Sequence, residues 1–92
     1  MIRTFADRET EDLFHRRSNR RFASFARAAF TKLVMIDNAR RLEDLVQPPG
    51  NRLEKLKGDR RDAWSIRIND RWRICFEWED GNADNVEIVD YH

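Results

Sequence analysis

A chain of 92 residues can build one modest core and is too short for two independent domains, so residues 1–92 are expected to form a single domain. At 40% apolar and 38% charged residues the composition excludes both a disordered tract and a membrane-spanning chain. One cysteine, Cys75, excludes a disulfide framework and a cysteine-rich zinc site, and residues 1–5 carry no long apolar leader. A cytoplasmic protein is expected. The net charge of +1 hides an asymmetry: between residues 16 and 41, Arg16, Arg17, Arg20, Arg21, Arg27, Lys32, Arg40 and Arg41 stand against Asp37 alone, whereas acids dominate after Asp62. Such a block suits a polyanion, but a solvated helix face is its ordinary explanation, so charge alone assigns no partner.

Residues 2–6 read as a short strand. Asp7 then offers a helix cap, with Glu9, Glu11 and Asp12 early and His15, Arg16 and Arg17 late, the order that complements a helix dipole. Ser18 or Asn19 can cap a second helix in which Phe22, Phe25, Ala26, Ala29, Leu33 and Ile36 recur at helical spacing as one apolar stripe, read as a core face. A helical turn around residues 41–46 runs into Pro48-Pro49-Gly50-Asn51, which marks a loop.

Beyond Leu53 the apolar period falls to two. Trp64, Ile66 and Ile68 alternate with Ser65 and Arg67; Trp72, Ile74, Phe76 and Trp78 alternate with Arg73, Cys75 and Glu77; Val86 and Ile88 continue the pattern in a last strand. Cross-strand neighbours share a face, so a three-residue connection, Asn69-Asp70-Arg71, is expected, pairing Ile68 with Trp72 and Ile66 with Ile74. With Trp78 opposite Val86 around Asp80-Gly81-Asn82, the same parity sets Arg67 beside Arg73 and Arg73 beside Tyr91 on the non-core face. Guanidiniums with a neighbouring ring are what single-stranded RNA requires of its binder.

The stretch Leu56-Lys57-Gly58-Asp59-Arg60, the runs Trp64-Ser65-Ile66-Arg67-Ile68-Asn69 and Trp72-Arg73-Ile74-Cys75-Phe76, and the ending Val89-Asp90-Tyr91-His92 closely resemble the HigB-type plasmid-maintenance killer proteins of the RelE/ParE-like superfamily. The opening Met1 to Phe5 and the total length fit as well, and order and spacing carry the match rather than any one piece. The resemblance implies an α+β RelE-like fold, with N-terminal helices packed on a small, curved, mainly antiparallel β-sheet. It also implies a type II toxin that cleaves messenger RNA in the decoding site of the small ribosomal subunit, without a metal or cofactor. Its partner would be a HigA-like helix-turn-helix antitoxin.

Metal-free RNA cleavage needs a base for the ribose 2′-hydroxyl, a cation for the crowded phosphate and an acid for the leaving oxygen. By resemblance Lys57, Arg73, Asp90, Tyr91 and His92 match the family's active-site positions and supply these types. Arg73 is expected to clamp the scissile phosphate through two oxygens, against the alternative of a surface ion pair with Glu77 or Asp90. His92 suits proton transfer, or is a solvated terminus. Asp90 orients His92, acts as base, or holds the last strand from the core side; Tyr91 stacks on a base or donates a proton. Glu54 stands where some relatives carry histidine, so the base is open between Glu54 and the other candidates. Lys55, Arg60 and Arg67 are the expected RNA contacts. Cys75 has no paired histidine to make it a nucleophile, and dipole compensation accounts for His15, so no metal site is expected. The rival function is a non-catalytic, ParE-like binder that inhibits DNA gyrase, since one fold serves both.

Overall fold

In the computed structural model, which describes residues 1–58 and 62–91, two helices lie on one face of a four-stranded antiparallel sheet. The fold is α+β, as expected. Helix α1 (Arg8–Phe14) starts where the Asp7 carboxylate accepts the Thr10 backbone N–H at 2.7 Å. Thr10 is fully buried, and its hydroxyl donates to Asp7 and accepts the Ile88 N–H at 3.0 Å, which ties the cap to the last strand. The helix closes through Arg16, whose left-handed backbone (φ 61°) lets the Arg17 N–H reach back to Asp12 and its own N–H to Leu13.

Asn19 does cap a turn, accepting the Phe22 N–H at 3.2 Å, but a 3-10 turn (Ala23–Phe25) intervenes before helix α2 (Ala26–Asn38). The turn folds Phe22 and Phe25 against Trp72, with ring centroids 5.8 and 5.0 Å away. Phe22, Ala29, Leu33 and Ile36 are fully buried, so the predicted stripe is the core face. Two further 3-10 turns, Leu42–Val46 and Pro49–Asn51, lead to the sheet. At the first, Asp44 accepts the Arg40 and Arg41 backbone N–H groups, and these hydrogen bonds lower its pKa.

The sheet runs β1 (Glu54–Lys55), β2 (Ala63–Arg67), β3 (Trp72–Glu79) and β4 (Asn82–Asp90) in that spatial order. The β2–β3 hairpin has the expected register, Ile66 with Ile74 and Arg67 with Arg73, and Asn69 accepts the Arg71 and Trp72 N–H groups within its loop. Ile66, Ile74, Phe76, Val86 and Ile88 meet α2 and Phe22 in one core. Full burial of each such side chain contributes roughly 1.5–3 kcal/mol.

Three expectations change. The β3–β4 connection is the two-residue turn Asp80-Gly81, both with positive φ (51° and 79°), the conformation an Asp-Gly pair favours between strands of right-handed twist. Trp78 therefore faces Ala83 rather than Val86; this turn alone would set Arg73 opposite Ile88, and a one-residue register shift between Cys75 and Glu77 brings it opposite Val89, so Tyr91 is not its register partner. Residues 2–6 follow β4 through two isolated parallel bridges, Ile2 with Ala83 and Phe5 with Val86, rather than as a strand. The ladder breaks where the Asn85 N–H turns to the Thr4 hydroxyl at 2.8 Å, while the Ile2 N–H, directed away from β4, is taken by Asp37 at 2.9 Å. The face opposite the helices is also not open surface around Arg73, because Ser65, Cys75 and Arg73 are all buried there. Among the described residues, no helix is long and apolar enough to cross a membrane.

Candidate active site

β1 is short, yet it fixes the site. Pairing of Glu54 with Ser65 and Lys55 with Trp64 brings the chain leaving the Pro48-Pro49 turn alongside β2. Beyond it, Gly58 takes a positive φ of 112°, a backbone geometry that glycine adopts without strain. Glu54, Lys55, Leu56 and Lys57 form one wall of an open groove of about 650 Å³, and Tyr91, just past β4, forms the other.

Arg73 lies between these walls without lining the groove. Its guanidinium carbon is 5.6 Å from the Tyr91 ring centroid and its Nη2 is 3.5 Å from the Glu54 carboxylate. The residue is only 7% exposed, so its charge must be met by the protein. Nε–H donates to the Ser65 hydroxyl at 2.9 Å, and Nη2 donates to the carbonyls of Arg52 at 2.6 Å and Ser65 at 3.3 Å. A guanidinium has five N–H groups. With Nε and Nη2 engaged, Nη1 carries the pair that takes no acceptor among the described residues. The two-oxygen clamp expected from the sequence is thus narrowed to Nη1 unless the Arg52 or Ser65 contacts open.

Lys57 and Lys55 bring further positive charge to the groove; Lys55 is shared with the Trp64 ring, 5.8 Å from its centroid. Tyr91 is half exposed, as a stacking ring must be. Asp90 ends β4 on the parity of Ile88. It aligns with Trp72, and its carboxylate holds Arg71 at 2.7 Å, which with the Asp90 charge raises the Arg71 pKa. Arg67 pairs with Asp70 at the far end of the hairpin. His92 and Arg60 lie outside the described residues.

Sequence reasoning missed the partners that hold Arg73. Ser65 shares the parity of Arg67 and Arg73 in β2 and β3, which was a usable signal. Asn51 read only as a turn residue, yet it is fully buried with its side chain engaged by Lys32, Leu45 and Gln47. Among the described residues, no three His, Cys, Asp or Glu side chains gather as metal ligands would.

Fold and groove together define a small α+β protein that sets an arginine, lysines, a carboxylate and an exposed ring across an antiparallel sheet. Residues 3–92 match the family model described as RelE-like toxin of type II toxin-antitoxin system HigB, and the chain belongs to this HigB-like toxin family. Toxin HigB-1 of Vibrio cholerae is 38% identical over 90 residues, spanning 96% of this chain and 95% of the relative. Endoribonuclease HigB of Proteus vulgaris is 38% identical over 61 residues, 66% of this chain and 65% of the relative. An uncharacterized protein of Haemophilus influenzae is 34% identical over 57 residues, 62% and 56% of the two chains. A type II toxin has a partner antitoxin.

Proposed function

We propose that the chain is an endoribonuclease that cleaves messenger RNA in the ribosomal decoding site, in the cytoplasm, using its own side chains for the acid–base and charge-stabilising roles. We take its antitoxin to be a HigA-like helix-turn-helix protein. The observation that carries the reading is the nearly buried Arg73 set between Glu54 and Tyr91 at a groove with Lys55 and Lys57. The name endoribonuclease, borne by the Proteus relative, supports it.

The chemistry is an in-line transesterification. A base removes the 2′-hydroxyl proton, the 2′-oxygen bonds to phosphorus, and the bond to the 5′-oxygen breaks as that oxygen takes a proton, leaving a 2′,3′-cyclic phosphate. Arg73 Nη1 and Lys57 stabilise charge on the phosphoryl oxygens, the contribution preorganised donors make best when largely shielded from water. Glu54 is the base on the groove wall, Tyr91 stacks on a base or gives the proton, and His92 is the remaining candidate for proton transfer. Asp90 acts on this set from the end of β4.

Mapping messenger RNA ends in a purified translation reaction, with and without ribosomes, tests the reading. Cuts that need ribosomes and disappear in a folded Arg73→Lys variant support it. Absence of cuts from a parent protein that still arrests growth would replace it with a non-catalytic binder of the gyrase-inhibiting type.

A further inference from the structure

We infer that Ser65 and Asn51 are positioning residues that preset the Arg73 guanidinium, one by gripping its Nε edge and the other by fixing the Arg52 carbonyl that takes Nη2. The inference rests on the nuclease reading of the same groove.

Ser65 is fully buried in β2 between Trp64 and Ile66, where alanine would pack as well and present no polar group to be satisfied. Its hydroxyl instead accepts Arg73 Nε–H while its own carbonyl accepts from Nη2, so one residue holds a whole edge of the guanidinium. The second support comes from outside the sheet. Arg52 stands in the left-handed region (φ 45°, ψ 58°), disfavoured for a residue with a side chain, and that turn aims its carbonyl at Arg73. The buried Asn51 immediately before it holds the corner. Its amide donates to the Leu45 and Gln47 carbonyls, each at 3.2 Å, and its oxygen accepts from Lys32 Nζ of α2 at 2.5 Å. A contact path therefore runs from α2 through Asn51 and the Arg52 backbone to Arg73, and meets there the grip of Ser65 from β2. Both supports leave Nη1 uncommitted, which orients the remaining donors before any phosphate arrives.

The test is a double-mutant cycle on cleavage of ribosome-bound messenger RNA in a purified translation reaction, with thermal melting to confirm folding. Ser65→Ala and Asn51→Ala should each lower kcat about tenfold with little change in KM, the effect of losing one oriented hydrogen bond. Neither should lower it further when added to Arg73→Ala, and Ser65→Thr, which keeps the hydroxyl, should recover activity. Should Asn51→Ala fail to fold, Lys32→Met takes its place, because it removes one contact to Asn51 and nothing of the corner itself. In NMR spectra the Arg73 Nε–H should exchange with solvent faster in Ser65→Ala than in the parent, whatever the activity. Losses that persist in the Arg73→Ala background, or an Nε–H unchanged by Ser65→Ala, overturn the inference while the nuclease reading stands. A parent that does not cleave overturns both.

Discussion

Arg67 and Arg73 are register partners across β2 and β3, yet their charges are drawn apart: Asp70 takes Arg67 at the hairpin loop, and Ser65 with the Arg52 carbonyl takes Arg73. Like charges directly opposed destabilise a ladder, so the pair persists because each guanidinium has its own acceptors. The two arginines then differ in what they can do. One is tethered to an exposed carboxylate that RNA phosphate can replace, whereas the other is built into the protein.

Arg67→Ala should therefore leave folding stability within about 0.5 kcal/mol of the parent, since its ion pair is exposed. If Arg67 contacts RNA phosphate, the variant should also reduce the magnitude of the slope of log affinity against log salt by about 0.7, the value for one contact to a single strand. Titration of the Arg73→Lys form and its Arg67→Ala derivative with single-stranded RNA across a salt series reads this directly. An unchanged slope places Arg67 off the RNA.

Arg73 responds in the opposite way. Arg73→Ala strands the buried Ser65 hydroxyl and takes the donor from the part-buried Arg52 carbonyl, and should cost about 1–3 kcal/mol of stability, measured by denaturant unfolding. Arg73→Lys keeps a charge but not the fork, so it should fold nearly as well and still lose roughly 100-fold or more in kcat, as when one preorganised donor is removed. A lysine variant with parental cleavage would show that charge alone suffices.

Much of this was legible in the sequence because period-two alternation constrains a hairpin tightly. The Ile66–Ile74 and Arg67–Arg73 pairs, the Asp7 cap and the Phe22–Ile36 stripe all followed from pattern and parity. The β3–β4 register did not, because the expected Trp78–Val86 pairing assumed a longer connection than the two-residue Asp80-Gly81 turn, and the shift between Cys75 and Glu77 restores the parity of the apolar sets and so leaves no obvious mark on alternation. Tyr91 still reaches Arg73, diagonally, so the expected neighbourhood holds while its register does not. β1 was missed because two residues carry no period, and the burial of Arg73 was missed because its covering segment contributes a backbone carbonyl, which has no side-chain signature.

Asp90 and Arg71 together end the sheet. Their ion pair is accompanied by a hydrogen bond from the Tyr91 N–H to the Arg71 carbonyl at 2.7 Å, so this corner sets where the Tyr91 ring stands. If Asp90 acts by anchoring, Arg71→Ala should reproduce a large part of the loss of cleavage seen in Asp90→Ala, and both should raise the mobility of the Tyr91 ring in NMR relaxation. Removal of a general base alone should cost about 100- to 10,000-fold. A loss of that size in Asp90→Asn with a fully active Arg71→Ala would assign Asp90 to the chemistry instead.

Lys32 links the opening pair to the Asn51 corner. Burial, and secondarily the charge of Arg67, lower its pKa from the usual 10.5 while its ammonium donates to Asn51. The unfolded chain thus binds this proton more tightly than the folded one, and stability must rise with pH across the window between the lowered folded value and 10.5. Below that window Lys32 is charged in both states and its contribution is flat. Subtracting the urea-unfolding free energies of Lys32→Met from those of the parent at each pH isolates this group from the other titrations nearby. The difference should be constant near neutrality and then climb in favour of the parent on the alkaline side. Arg67→Ala should narrow that climb by removing the second cause of the shift, whereas a difference that stays level to pH 10.5 would mean that the Asn51 hydrogen bond fully offsets the cost of burying the charge.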